Sequence, residues 1–66
     1  GTVEVDAFDV GGRCVRHVLA RELPAGRSVI QWDLRDGSGR ALPAGVYLLR
    51  VALRGQTLAR RLAIVR

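Results

Sequence analysis

The sequence of 66 residues contains no lysine and no methionine, and it has one cysteine and one histidine. The single cysteine, Cys14, excludes a disulfide within the chain, although small secreted domains often rely on such bonds. One histidine and one cysteine also argue against a structural metal centre, which takes four such ligands. A chain this short forms at most one domain with a thin core, so its stability depends on apolar packing or on a neighbouring domain or chain.

No apolar run approaches the roughly 18 residues that a membrane-spanning helix needs. The start of the chain also lacks the basic residues and long apolar run of a secretory signal, so we expect a chain that is mature, processed or cut from a longer protein. All eleven cationic side chains are arginine, and the net charge is +5. This charge permits contact with nucleic acid, an anionic polymer or an acidic membrane surface, and it does not choose among them.

The apolar residues, 48% of the chain, are mainly valine, leucine and isoleucine in short alternating runs, which favours strands joined by tight turns. A helix over Cys14–Leu23 is an alternative, because Val15, Val18 and Leu19 have helical spacing, but Gly12 and Pro24 bracket that segment closely. Imperfect alternation there also allows a bulge. Five strands are predicted: Thr2–Phe8, Cys14–Leu19, Arg27–Leu34, Val46–Leu53 and Leu58–Val65.

Two pairs of similar turn sequences separate these strands. Asp9–Arg13 resembles Asp36–Arg40, and Leu-Pro-Ala-Gly occurs at 23–26 and again at 42–45. The spacing is too uneven for a solenoid repeat. Five short strands with turn signals every 8–12 residues or so indicate an antiparallel sandwich or barrel.

The alternation also predicts which side chains form the core. We expect one face of the first strand to be buried, and Ile30 and Trp32 to point inward from the third. A tryptophan can also mark a carbohydrate-binding surface, but the position of Trp32 between Ile30 and Leu34 favours packing. The inward set is predicted to include Val3, Val5, Ala7, Ile30, Trp32, Leu62 and Ile64.

The order of these motifs resembles the FlgD-type immunoglobulin-like domain, a pattern shared by the C-terminal sorting domains of type IX secretion. The resemblance starts at Phe8-Asp9, continues through Ala25-Gly26 and Trp32-Asp33, and extends to Arg66. It identifies six residues as the structural motif of the domain: Trp32, Asp33, Asp36, Gly39, Gly45 and Tyr47. Members of this family usually begin with an additional strand introduced by Asn-Pro, which this sequence does not show.

The resemblance implies an all-β fold, a small antiparallel immunoglobulin-like β-sandwich over residues 1–66 that lacks the family's first strand. It implies a non-catalytic extracellular module for C-terminal sorting, surface anchoring or structural assembly, secreted by or on the surface of a bacterium. Its expected partners are other domains of a parent protein, the secretion machinery or copies of itself. If the likeness extends to sorting, Arg60, Arg61 and Arg66 would be the recognised residues.

No catalytic, cofactor-binding or metal-binding residue is assigned, and no cofactor is expected. His17 lies three residues from Cys14, which places the two on opposite faces of a regular strand and argues against a catalytic pair. Asp33, Asp36 and Ser38 have oxygen ligands suited to calcium, but their spacing does not match a calcium loop. We interpret them as side chains that satisfy the amides of a turn.

Two further functions come from other classes of protein. A missing first strand would leave a sheet edge that accepts a strand, so the chain could be a subunit of a fibre or shell completed by a neighbour. The arginines on strand faces, such as Arg16, Arg50 and Arg60, would also suit a basic nucleic-acid-binding domain. That third reading is the least favoured, because base stacking would need exposed aromatic residues and the three aromatics are expected in the core.

Overall fold

The structure, a computed structural model, describes residues 1–22 and 30–66. These residues form four β-strands: β1 (Thr2–Phe8), β2 (Cys14–Glu22), β3 (Gly45–Leu53) and β4 (Gln56–Ile64). All pairings are antiparallel, in one sheet of order β2-β1-β3-β4. The predicted all-β fold class is confirmed, and four strands in one sheet are consistent with a small immunoglobulin-like domain. Among the described residues, no helix is long and apolar enough to cross a membrane.

Strand β1 lies inside the sheet between β2 and β3, and its predicted alternation is confirmed. Val3, Val5 and Ala7 are buried, whereas Thr2 and Glu4 on the other face are exposed. Because successive side chains of a strand point to opposite faces, this pattern defines one covered and one open face of the sheet.

The second strand contains two irregularities, so the predicted bulge is present and the helical alternative is wrong. The pairing with β1 shifts between Val5 and Asp6 and again between Ala7 and Phe8. Each shift leaves one extra residue in β2, Val18 in the first case and Val15 in the second. Pairing along the whole of β1 outweighs the helical spacing of the valines, since a long-range ladder overrides weak local propensity.

A two-residue turn joins β3 to β4. Arg54 and Gly55 both have positive φ, 51° and 76°, the backbone of a type I′ turn, whose twist matches that of the flanking strands. Pairing therefore continues to the turn itself, and β4 begins at Gln56, two residues before the predicted start.

The predicted strand Arg27–Leu34 is wrong over residues 30–34, which lie outside any strand. Residues 27–29 and the predicted turn at 23–26 lie outside the described residues. Leu34 has φ 59°, which interrupts an extended chain. Only an isolated bridge between Arg35 and Ala41 has β geometry here. In the part of the chain that the structure describes, the layer that covers the sheet is therefore an irregular segment, residues 30–44, rather than a second sheet.

This covering segment closes the core at one end of the sheet. Leu42 is buried with Tyr47 and Ile64, and the half-buried Val15, Trp32, Leu34 and Leu62 pack against them. Trp32, Leu62 and Ile64 thus face inward as expected. The prediction for Ile30 is wrong, since it is 39% exposed; the non-strand backbone from 30 to 34 removes the alternation on which that prediction rested.

Candidate interaction site

The predicted structural motif is assembled around the turn at Asp36. One carboxylate oxygen of Asp36 accepts hydrogen bonds from the Ser38 amide (2.9 Å), the Ser38 hydroxyl (2.7 Å) and the Arg40 amide (3.0 Å). Gly39 completes the turn with φ 91° and donates its amide to the Asp36 carbonyl at 3.0 Å. Glycine suits this position because other residues rarely adopt such a backbone.

These hydrogen bonds also set the charge state of the turn. The Ser38 hydroxyl, followed by the Arg40 amide, holds the pKa of Asp36 below its usual value of 3.8. Donors directed at the ionised carboxylate stabilise that form. The turn is therefore held together by a negative charge that is already satisfied by protein donors.

Arg16 connects this turn to strand β2. Its Nη1 donates to the Arg35 carbonyl at 2.9 Å, and to the Asp36 carbonyl and an Asp33 carboxylate oxygen at 3.3 Å each. The same oxygen of Asp33 accepts the Arg35 amide at 3.1 Å. One carboxylate oxygen of Asp33 and one of Asp36 thus accept hydrogen bonds from protein donors. This geometry supports the interpretation that the two side chains bind the amides of the turn rather than calcium.

Two aromatic side chains fix the ends of the covering segment. The Trp32 indole donates to the Arg35 carbonyl at 3.2 Å, and the Tyr47 hydroxyl donates to the Pro43 carbonyl at 2.8 Å. Gly45 is the first residue of β3. Five of the six residues of the predicted motif thus make hydrogen bonds within or to the covering segment, and Gly45 begins the strand that follows it.

The three arginines predicted for sorting are exposed but do not form a single cluster. Arg60 and Arg61 are adjacent in β4, opposite Leu49 and Leu48 of β3, so they point to opposite faces of the sheet. Arg66 follows the end of the strand. A partner that contacts both Arg60 and Arg61 would therefore have to reach both faces of β4.

Strand β4 is an outer strand of the sheet, and seven of its nine residues are exposed. Within the described residues its only pairing is with β3. Leu58 is 50% exposed, and Val46 and Leu48 on β3 are exposed as well. This edge, with its arginines and apolar side chains, is the candidate interaction surface and is termed the β4 edge below.

A second group of side chains was not expected from the sequence. Asp6, Cys14 and His17 each place a potential ligand atom within 4.8 Å of the others. The prediction that Cys14 and His17 lie on opposite faces is wrong: the extra residue Val15 shifts the alternation, so Asp6 pairs with His17 and Phe8 pairs with Cys14. Imperfect alternation over 14–19 was the one sequence signal for this arrangement.

Comparison with protein families finds a similarity over most of the chain. The model of the FlgD Ig-like domain matches residues 1–56, which include the whole corner around Trp32, Asp36 and Tyr47. The match ends at Gln56, the first residue of β4, so it does not include the three arginines considered for sorting. The comparisons with curated proteins and with solved structures gave no match.

Proposed function

The chain belongs to the FlgD Ig-like domain family, and from this membership we propose that it is a non-catalytic structural module of a larger secreted or cell-surface assembly. We further propose that the β4 edge is the surface through which it joins its neighbours. The observation that carries this is the exposed outer strand, which offers backbone donors and acceptors to another strand. The chain would then act by pairing with the strand of a neighbour rather than by catalysis.

The turn between β3 and β4 shows which backbone groups are available. A two-residue turn makes its flanking residues, Leu53 and Gln56, a hydrogen-bonded pair, and such pairs recur at every second residue. The intervening residues of β4, which include Thr57, Ala59 and Arg61, therefore direct their amides and carbonyls away from β3. An added strand would bind these groups and would displace the Arg60 side chain, whose Nη1 donates to the Ala59 carbonyl at 3.0 Å.

The charge of the β4 edge favours a particular partner. Strand β4 carries Arg60 and Arg61 and no acidic residue. Pairing of two β4 edges from identical chains would bring arginines close to arginines, and like charges across a pair of strands destabilise it. The proposed occupant is therefore an acidic strand from a neighbouring domain or subunit, in preference to a second copy of this chain.

Two synthetic peptides as long as β4 test this proposal, one alternating valine with glutamate and the other alternating valine with lysine. We expect the glutamate peptide to shift the amide resonances of β4 and to bind more weakly as salt increases. Equal binding of both peptides, or shifts confined to β2, would contradict the proposal.

A pair of variants separates strand addition from simple charge attraction. Ala59→Pro removes an outward amide while leaving the hydrogen bonds to β3 in place, whereas Ala59→Ser keeps that amide. Binding of the glutamate peptide should be lost in Ala59→Pro and retained in Ala59→Ser. Circular dichroism should show the same strand content in both, and a folded Ala59→Pro that still binds would refute backbone pairing.

C-terminal sorting is the second function, favoured by the exposure of Arg60, Arg61 and Arg66. Deleting the end of the chain would be a poor test, because Ile64 belongs to the buried cluster. Replacing the three arginines with glutamine in a fused reporter keeps the core intact. We expect export to fall if they are recognised, with Arg13→Gln as the matched control; unchanged export would refute sorting through these residues.

A further inference from the structure

We propose that Asp6, Cys14 and His17 form a binding site for a divalent transition metal of the zinc class. The site lies on the open face of the sheet, opposite the face that residues 30–44 cover. This inference is independent of the role proposed for the β4 edge.

Pairing within the sheet positions the three ligands. Asp6 of β1 is directly opposite His17 of β2, and the imidazole Nδ1 lies 2.6 Å from one carboxylate oxygen, Oδ1. Phe8, two residues along the same face, is opposite Cys14. The bulge at Val15 is what places a thiol and an imidazole, three positions apart in the chain, on the same face.

The distances suit a small tetrahedral ion. Zinc binds nitrogen and oxygen at about 2.0–2.2 Å and sulfur at about 2.3 Å, which separates neighbouring ligand atoms by roughly 3.5 Å. The three atoms here lie within 4.8 Å of one another, and the 2.6 Å hydrogen bond between His17 Nδ1 and Asp6 Oδ1 must open by roughly 1 Å to admit the ion. The side chain of Asp6 is 14% exposed and that of His17 is 85% exposed, so Asp6 is a fixed anchor and the imidazole has room to turn toward an ion.

The chemistry of the ligands selects the class of metal. A thiolate, an imidazole and a carboxylate together suit zinc, whereas magnesium and calcium prefer oxygen ligands alone. Three ligands from the protein leave a fourth position for water or for a side chain of a partner. The site would therefore be an open one, suited to joining this face to a neighbour.

One positive group competes with the metal. The Nη2 atom of Arg50 lies 3.4 Å from Oδ2 of Asp6, and its guanidinium stacks over the Phe8 ring at 4.8 Å. The oxygen that faces His17 is the other one, Oδ1. Arg50 thus leaves the ligand oxygen accessible but lowers the attraction of Asp6 for a cation, and its removal should strengthen metal binding.

Calorimetric titration of the reduced chain with Zn²⁺ tests the site, with Co²⁺ as a spectroscopic probe of a metal–sulfur bond. We expect one ion per chain, a sulfur-to-cobalt absorption band, and at least about tenfold weaker binding in Cys14→Ser, His17→Gln and Asp6→Asn; even residues outside the metal's own ligands typically change affinity by about 10–100-fold. Arg50→Gln should bind more tightly, and Asp9→Asn, at an exposed turn, should bind as the unaltered chain does.

Several outcomes would overturn the proposal. No heat of binding, or unchanged affinity in Cys14→Ser, would exclude the site. One ion per two chains with dimer formation would mean that the metal is held between thiols of two copies rather than by the three residues of one. Because the chain has one cysteine and one histidine, binding that requires both cannot come from another site within the same chain.

Discussion

Two loops of this domain have nearly the same backbone and different roles. In Asp9–Arg13 the aspartate carboxylate accepts the amides two and four residues later, both at 3.0 Å. In Asp36–Arg40 the corresponding distances are 2.9 and 3.0 Å. In each loop the fourth residue is a glycine with φ near +90°, 86° and 91°, whose amide donates to the aspartate carbonyl at 3.0 Å.

The difference lies in what surrounds each loop. The hydrogen bonds given above for the first loop join residues of that loop to one another, and Val10 at its tip is 82% exposed. The second loop is bound to β2: the Gly37 amide donates to the Val15 carbonyl at 3.0 Å, and Arg16 donates to the Asp36 carbonyl. The same local motif therefore closes a hairpin in one place and fastens the covering segment in the other.

Removing the apolar anchor beside the second loop should have the largest effect. Trp32 packs against the buried cluster, and Trp32→Ala should lower the free energy of unfolding by about 2–4 kcal/mol, somewhat less than for a fully buried tryptophan. Val10→Ala in the first loop should change it by less than about 0.5 kcal/mol. Urea unfolding followed by circular dichroism measures both, and equal stability of the two variants would contradict the role given to Trp32.

Removing the arginine that joins the second loop to β2 should have the next largest effect. Arg16→Ala deletes three hydrogen bonds, one of them to a carboxylate, and should cost about 1–2 kcal/mol because the site is partly open to solvent. Arg13→Ala in the first loop is the control, expected within about 0.5 kcal/mol of the unaltered chain. Similar losses in the two variants would show that Arg16 does not fasten the covering segment.

Gly12 and Gly39 have the same position in the two loops, so substituting each of them tests whether the two loops have the same backbone strain. Gly12→Ala and Gly39→Ala should each lower the free energy of unfolding by about 1–2 kcal/mol, because an alanine is strained at this backbone. The added carbon meets no atom within 4 Å at either position, so the loss would come from backbone strain and not from a steric clash. Gly37→Ala, which has no positive φ, controls for the loss of glycine. Thermal unfolding that ranks Gly39→Ala well above Gly12→Ala would mean that the local strain is not the same.

The smallest effect concerns acid stability. The pKa of Asp36 is lowered in the folded chain from 3.8. The ionised carboxylate therefore stabilises the folded state fully above the pKa of the unfolded chain, and this stabilisation is lost as the pH falls through the pKa of the folded chain. The stability of Asp36→Asn should therefore decrease less steeply below about pH 4 than that of the unaltered chain. Gly39→Ala, which disturbs the same loop but keeps the carboxylate, should retain that fall; an identical slope in Asp36→Asn would refute the assignment.

The sequence predicted the loops and most strands because both depend on neighbours in the chain. The alternation of Thr2–Phe8 gave the bounds of β1, and the similarity of Asp9–Arg13 to Asp36–Arg40 corresponds to a shared set of hydrogen bonds. The strand expected over 27–34 shows the limit of this reasoning. Its alternation from 30 to 34 is compatible with a strand, but Leu34 turns back at positive φ and the side chain of Asp33 binds Arg16 from β2.

The candidate sites were less predictable. The exposure of Arg60 and Arg61 follows from their charge, but that β4 is an outer strand depends on the strand order, which local alternation does not encode. The group formed by Asp6, Cys14 and His17 depends on a single extra residue, Val15, in β2. An irregular run of side chains signals that a bulge is present, and only pairing with β1 fixes where it falls.

By itself, the sequence determined an all-β chain of the FlgD Ig-like type, with its turns, its inward-facing valines and a corner built around Trp32, Asp36 and Tyr47. These features follow from backbone preferences and from the period of two in a strand, which are local. The tertiary structure decided that residues 30–44 cover the sheet without forming a strand, that β4 is left at the edge, and that a thiol, an imidazole and a carboxylate meet on one face. Those outcomes depend on register between distant strands, where a one-residue shift moves a side chain to the opposite face.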